Sequence, residues 1–156
     1  MVRFLRDRAA IMLPDEKTPI PSDGSALIIE EALRDDPRPL HVAFLGPLTD
    51  MASALLEEPS IAERKIRVVW IGGEDWPVGG WEYNIWNDIN AANVVFRSKV
   101  ELWQIPSIIY KRMAVSYAEL VEKVYDKALW ASTWSNSLSS GTPYMSRKID
   151  GSTEST

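Results

Sequence analysis

Glu82 and Asn84 stand one residue apart in a glycine- and tryptophan-rich stretch, Trp70 to Phe96, that reads WIGGEDWPVGGWEYNIWNDINAANVVF. On an extended segment that spacing points both side chains to the same side. A carboxylate accepts hydrogen bonds from hydroxyls, and a carboxamide both donates and accepts. The pair therefore suits a vicinal diol or polyol, with Trp81, Tyr83 and Trp86 as an apolar wall. A second reading puts the pair on a solvated loop whose rings only pack against helices. Residue types alone leave both readings open.

The other chemistry-bearing residues carry less. Asp50 follows Gly46-Pro47-Leu48-Thr49 just inside a helix amino end, where an acid interacts favourably with the helix dipole. That role fits it better than catalysis. Leu45 and Gly46, at the carboxyl end of an apolar strand, could offer backbone carbonyls to a hard cation, although one carbonyl never holds calcium alone. His41 lies toward the amino end of the same strand, the wrong end for a site, and reads as structural. Gly72-Gly73 lets the chain turn sharply out of a strand. The spacing of a dinucleotide fingerprint and the Lys-Ser/Thr ending of a phosphate loop are both missing. No H-E-x-x-H, G-x-S-x-G or HRD motif occurs. The absence of cysteine excludes a disulfide framework and a thiolate nucleophile.

These residues need elements to hold them. Ser22 or Asp23 caps a helix over about 24–34, with Ala26, Leu27, Ile29 and Leu33 partly following the helical repeat. Leu40 to Leu45 (LHVAFL) is a nearly continuous apolar run, the pattern of a strand covered on both faces. Pro47 fits the first position of a helix over about 47–57 that buries Leu48, Met51, Ala52 and Leu55. Pro59 and Ser60 mark a break, with a short helical piece through Ala62. Val68 to Ile71 is a second buried strand, and a helix over about 88–97 places Ile89, Ala92 and Phe96 on one face. Val100 to Ile105 is a third strand, ended by Pro106. Ser116 and Glu119 have capping-box spacing ahead of a helix with Tyr117, Leu120, Val121 and Val124 on its apolar side.

Strand and helix alternating with short links predict an α/β fold: an open, mostly parallel, Rossmann-like sheet with right-handed crossover helices. Three strands leave bare edges, so residues 1–125 read as a partial domain. Residues 126–156 turn rich in Ser, Thr and Gly without a period and are expected to be a disordered or frame-shifted tail. The formal net charge of -5, with no compensating basic stripe, argues against a nucleic-acid partner. No apolar run is long enough to span a membrane. Arg3, Arg6, Asp7 and Arg8 precede only a short apolar patch, unlike a signal peptide, so a cytoplasmic protein is expected.

The run LHVAFLGPLTDMASALLEEPSIAERKIRVVWIGG, followed by GGWEYNIWNDINAANVVF, resembles the central portion of the inosine/uridine-preferring nucleoside hydrolase family. The GPLT turn, the strand ending in IGG, and E-x-N ahead of D-x-x-A-A carry the likeness, which extends over roughly residues 16–124. The resemblance implies hydrolysis of the N-glycosidic bond of ribonucleosides to ribose and a free base. It also implies a calcium ion that orients the ribose hydroxyls and the attacking water. It sets Glu82 and Asn84 against the ribose hydroxyls and makes the carbonyl of Leu45 a calcium ligand. Trp76, Trp81 and Trp86 become candidates for the wall that receives the base.

The sequence also departs from the family. The aspartate cluster D-x-D-x-x-x-D-D, which supplies most calcium ligands and the catalytic base, has no counterpart here, so no catalytic residue is assigned. The family's later aspartate and histidine are missing, Asp50 replaces its usual asparagine, and the loop before Glu82 is a short EDWPVGG without the ribose-binding asparagine. The expectation is a nucleoside hydrolase by descent with a nucleoside as its small-molecule partner. Its isolated chain lacks the ligands to complete a calcium site and is inactive. A homo-oligomer or a complementing chain would cover the bare sheet. The alternative is a non-catalytic ribose- or nucleoside-binding, or purely structural, remnant of such an enzyme.

Overall fold

The computed structural model describes residues 12–123, in one compact unit that runs to Arg112 and a second that begins at Met113. In the first unit, β1 (Leu40–Phe44), β2 (Ile66–Ile71) and β3 (Glu101–Ile105) form one parallel sheet in the order β1-β2-β3. The register aligns Val42, Val68 and Leu102 in one row across the sheet, and Phe44, Trp70 and Gln104 in another. Two right-handed crossovers stepping the same way must lay their helices on the same face of the sheet. The fold is thus the expected open, Rossmann-like α/β sheet, with one of its faces carrying the helices.

Helix α1 (Asp23–Leu33) precedes β1, α2 (Thr49–Glu57) and a 3-10 turn (Pro59–Glu63) link β1 to β2, and α3 (Tyr83–Asn87) and α4 (Ile89–Arg97) link β2 to β3. Helix α2 is central, packing on both α1 and α4. Its Leu48, Met51, Ala52 and Leu55 are buried as expected, with Ile61, Val68, Trp70, Ala91 and Val95 around them. The helix starts at Thr49 rather than Pro47, with Leu48 at the cap position.

Several faces differ from expectation. In α1 the buried positions are Gly24, Ser25, Ile28 and Ala32, while Ala26 and Leu33 are exposed. Small residues there allow close approach to α2: a Cβ on Gly24 would lie 2.7 Å from Cγ of Asp50. In α4 Ala92 is buried, but Ile89 and Phe96 are 46% and 50% exposed and Ala91 and Val95 take their place. The buried carboxylate of Asp88 sets that rotation, drawing the 88, 91, 92, 95 stripe inward. Strand β1 is not covered on both faces. His41 and Ala43 are exposed, because among the described residues only one layer of helices packs on the sheet.

After β3, Pro106 begins a one-turn helix, α5 (Ser107–Tyr110), that sequence periodicity did not predict. In the second unit, Ser116 and Glu119 form the expected reciprocal cap on α6 (Tyr117–Lys123): Glu119 N donates to Ser116 Oγ at 3.2 Å, and Ser116 N to Glu119 Oε2 at 3.3 Å. The side chains of Tyr117, Leu120 and Val121, with Val124 and the tail over 126–156, lie outside the described part of the structure.

Candidate functional site

The turn that leaves β2 is built from two glycines for two different reasons. Gly72 admits no side chain, since a Cβ would fall 2.1 Å from the buried ring of Trp70. Gly73 has φ 75°, a conformation that favours glycine. The turn is stapled to the end of β3: Gly72 N donates to Ile105 O at 3.1 Å, Gln104 Nε2 to Gly72 O at 2.9 Å, and Ser107 N to Gly73 O at 2.9 Å. The chain then passes through a cis Trp76–Pro77 bond and returns to Glu82.

Glu82 is the N-cap of α3, with extended backbone and only 2% exposure. Its Oε2 accepts from Gly73 N at 2.7 Å, Asn84 N at 3.0 Å and Ile85 N at 3.1 Å. Its Oε1 accepts from the Tyr110 hydroxyl at 2.9 Å. Burial pushes the carboxyl pKa up, but the three backbone donors and the phenol outweigh it, and the net shift is downward from 4.5. Glu82 is therefore held as a carboxylate, and it does not sit on a solvated loop.

Asn84 lies in the first turn of α3, not on an extended strand, and donates from Nδ2 to Ile71 O at 2.7 Å. The pair does converge at the carboxyl end of β2. Cap geometry brings the two together rather than strand alternation. In the same stretch of chain Trp76, Trp81 and Trp86 are 93%, 63% and 60% exposed, so these rings are not packed away against helices.

The remaining candidates fall elsewhere. Leu45 directly follows β1 with its side chain 77% exposed, and the neighbouring Gly46 carbonyl accepts from Trp70 Nε1 at 2.9 Å. Asp50 sits in the first turn of α2, as read, and accepts from Ser22 Oγ at 2.7 Å, so it joins the amino ends of α1 and α2. His41 lies at the amino end of the sheet, where Arg67 donates to its Nε2 at 3.1 Å. A cleft of about 390 Å³ beside Pro39, Arg64 and Glu101 also opens at that end, away from Glu82.

Tyr110 and Glu74 were missed. The side chain of Ser107 hydrogen-bonds the carboxylate of Glu74, and Lys111 Nζ lies 3.7 Å from Glu74 Oε1. A four-residue helix has no periodicity to read, so only the Pro106-Ser107 start could have hinted at it.

Calcium takes six to eight oxygen ligands, mostly carboxylate. Among the described residues no group of three or more His, Asp or Glu is placed to hold a metal ion. The carbonyl of Leu45 does not fit that requirement by itself.

With this geometry in place, the sequence model of the inosine-uridine preferring nucleoside hydrolase family matches residues 7–150. The chain belongs to that family. It is 28% identical over 116 residues to uridine nucleosidase 1 of Arabidopsis thaliana, covering 72% of this chain and 34% of the relative. It is 32% identical over 87 residues to the pyrimidine-specific ribonucleoside hydrolase RihA of Salmonella newport, covering 53% of this chain and 28% of the relative. The crystal structure of an inosine-uridine preferring nucleoside hydrolase from Bacillus anthracis superposes with a TM-score of 0.54 at 27% identity, over 64% of this chain and 37% of that one. The chain thus spans about a third of the length of the relatives it matches. No described helix is long and apolar enough to cross a membrane.

Proposed function

We propose that this chain carries the sugar-gripping portion of a ribonucleoside hydrolase site, for the reaction of a nucleoside with water to give ribose and a free base. The supporting observation is the ionised, buried carboxylate of Glu82 beside Asn84 at the carboxyl end of β2, where open α/β sheets place their ligands. The carboxylate would accept from a ribose hydroxyl, and the amide oxygen of Asn84 would accept from a second. Hydroxyl contacts of this kind accelerate hydrolysis to the extent that they tighten as the ribosyl ring flattens toward an oxocarbenium ion. The exposed rings of Trp76, Trp81 and Trp86 are proposed to wall the base.

The parent reaction, as proposed, uses calcium to orient hydroxyls and water, with one oxygen from the Leu45 carbonyl. The described residues do not complete such a shell, so the chain alone is proposed to be inactive and to be completed by a second copy or a complementing chain; its proposed location is the cytoplasm. Incubation with inosine and uridine in added calcium should give no measurable release of base. Clear metal-dependent turnover would overturn the proposed inactivity.

A second reading has an observation of its own: the protein already supplies four hydrogen bonds to the Glu82 carboxylate, three of them from the turn and helix it caps, as expected of a keystone that holds the loop. Glu82→Gln separates the two. Under the sugar-gripping reading, affinity for uridine and D-ribose should fall about tenfold or more, the effect of losing one charge-assisted hydrogen bond. Calorimetry showing unchanged affinity alongside a lowered unfolding midpoint would leave only the keystone.

A further inference from the structure

We propose that Tyr110 is the positioning residue for Glu82: its hydroxyl sets the carboxylate plane and so aims the remaining Oε1 lone pair at a ligand hydroxyl. This inference rests on the sugar-gripping reading of Glu82 and deepens it.

The two oxygens of the carboxylate are held very differently. Three backbone N–H groups converge on Oε2, all from the turn and helix that flank Glu82 in sequence. They fix that oxygen as a point. They do not fix the carboxylate plane, because the terminal torsion of a glutamate is broad and roughly two-fold. Among the described residues the one hydrogen bond to Oε1 is that of the Tyr110 hydroxyl, at 2.9 Å and 28 residues away in sequence. A carboxylate offers about four lone-pair sites. With Oε2 saturated, the capacity left for a ligand lies on Oε1, and the tyrosine decides where it points.

Tyr110 is itself held by the turn it supports. Ser107 N bonds the Gly73 carbonyl at 2.9 Å, and Tyr110 N bonds Pro106 O at 3.1 Å, so α5 enters at a set angle. Burial first, then the hydrogen bond to Glu82 and the charges of Glu82 and Glu74, push the phenol up to about 12. It stays protonated, and a donor, at neutral pH. Glu74 is the other acid nearby, and it lies with Ser107 and Lys111.

The test uses the full chain and Tyr110→Phe, which keeps the ring and removes the hydroxyl. Carboxyl-carbon NMR of isotopically labelled glutamate should show the Glu82 titration midpoint raised in the variant, because a donor to the charged form is gone. Affinity for uridine and D-ribose should fall about three- to tenfold. An unmoved midpoint would overturn the inference whatever the ligands do. A raised midpoint with unchanged affinity for both ligands would overturn the sugar-gripping reading while the hold of Tyr110 on Glu82 stands. In the unmutated chain, exchanging hydroxyl protons for deuterium should shift the Glu82 carboxyl resonance. No shift there would count against the proposal without relying on any variant.

Discussion

Asp88→Ala should lower the stability of the fold by about 4 kcal/mol. The carboxylate is 2% exposed and gathers three donors from three separate pieces of chain. Leu13 N reaches Oδ2 at 3.0 Å from 75 residues away, Thr49 Oγ1 donates to Oδ2 at 2.6 Å from the first turn of α2, and Ala91 N donates to Oδ1 at 2.9 Å as the cap of α4. Loss of the cap alone costs about 1 kcal/mol. Leaving the other two donors buried without an acceptor adds about 1–3 kcal/mol each. Asn90 reinforces the same junction by donating to Leu13 O at 2.9 Å. Thr49→Val removes one donor and no charge, so its loss should be smaller, about 1–2 kcal/mol. Urea denaturation of both variants checks this. An Asp88→Ala loss no larger than that of Thr49→Val would mean that the junction is not held by the carboxylate.

Trp70→Ala should cost about 3–5 kcal/mol, the range for removing a large buried aromatic side chain. Trp70 is 0% exposed in the central strand and meets Phe96 edge to face, with centroids 5.9 Å apart and planes at 79°. Its indole N–H also holds the carbonyl of Gly46, and its ring fills the space that Gly72 leaves empty. One side chain therefore ties the turn after β1 to the turn after β2, the two turns that carry Leu45 and lead to Glu82. Trp70→Phe keeps much of the apolar volume but loses the hydrogen bond. It should recover most of the stability and still loosen the Gly46 turn, read as faster amide exchange there. Equal losses in Trp70→Phe and Trp70→Ala would show that volume is not what counts.

Both effects act on the ground beneath the candidate site. If Asp88 or Trp70 is lost, α4 and the β2 turn lose their anchors, and Glu82 loses the frame that delivers its donors. Binding measurements on such variants thus report stability before chemistry. Tyr110→Phe and Glu82→Gln are the informative substitutions for function because they leave the Asp88 and Trp70 anchors in place.

The order of the strands and of the longer helices was legible from local signals. LHVAFL is an apolar run between Pro39 and Gly46, VVWI is one that ends at Gly72, and Ser22 and Ser116 are caps whose partners lie three residues on, so each is decided within one turn of chain. The likeness to nucleoside hydrolases was legible for the same reason, being carried by the contiguous GPLT, IGG and E-x-N segments. The inward face of α4, the one-sided covering of β1 and the state of Glu82 were not legible. Each depends on partners distant in sequence: Leu13 and Thr49 on Asp88, the layer of helices on a single face of the sheet, and Tyr110 on Glu82. A hydrogen bond spanning 28 or 75 residues leaves no period in the chain. The residue types determined what chemistry Glu82 and Asn84 could do, and only the packing of β3 and α5 against the glycine turn decided which lone pairs remain to do it.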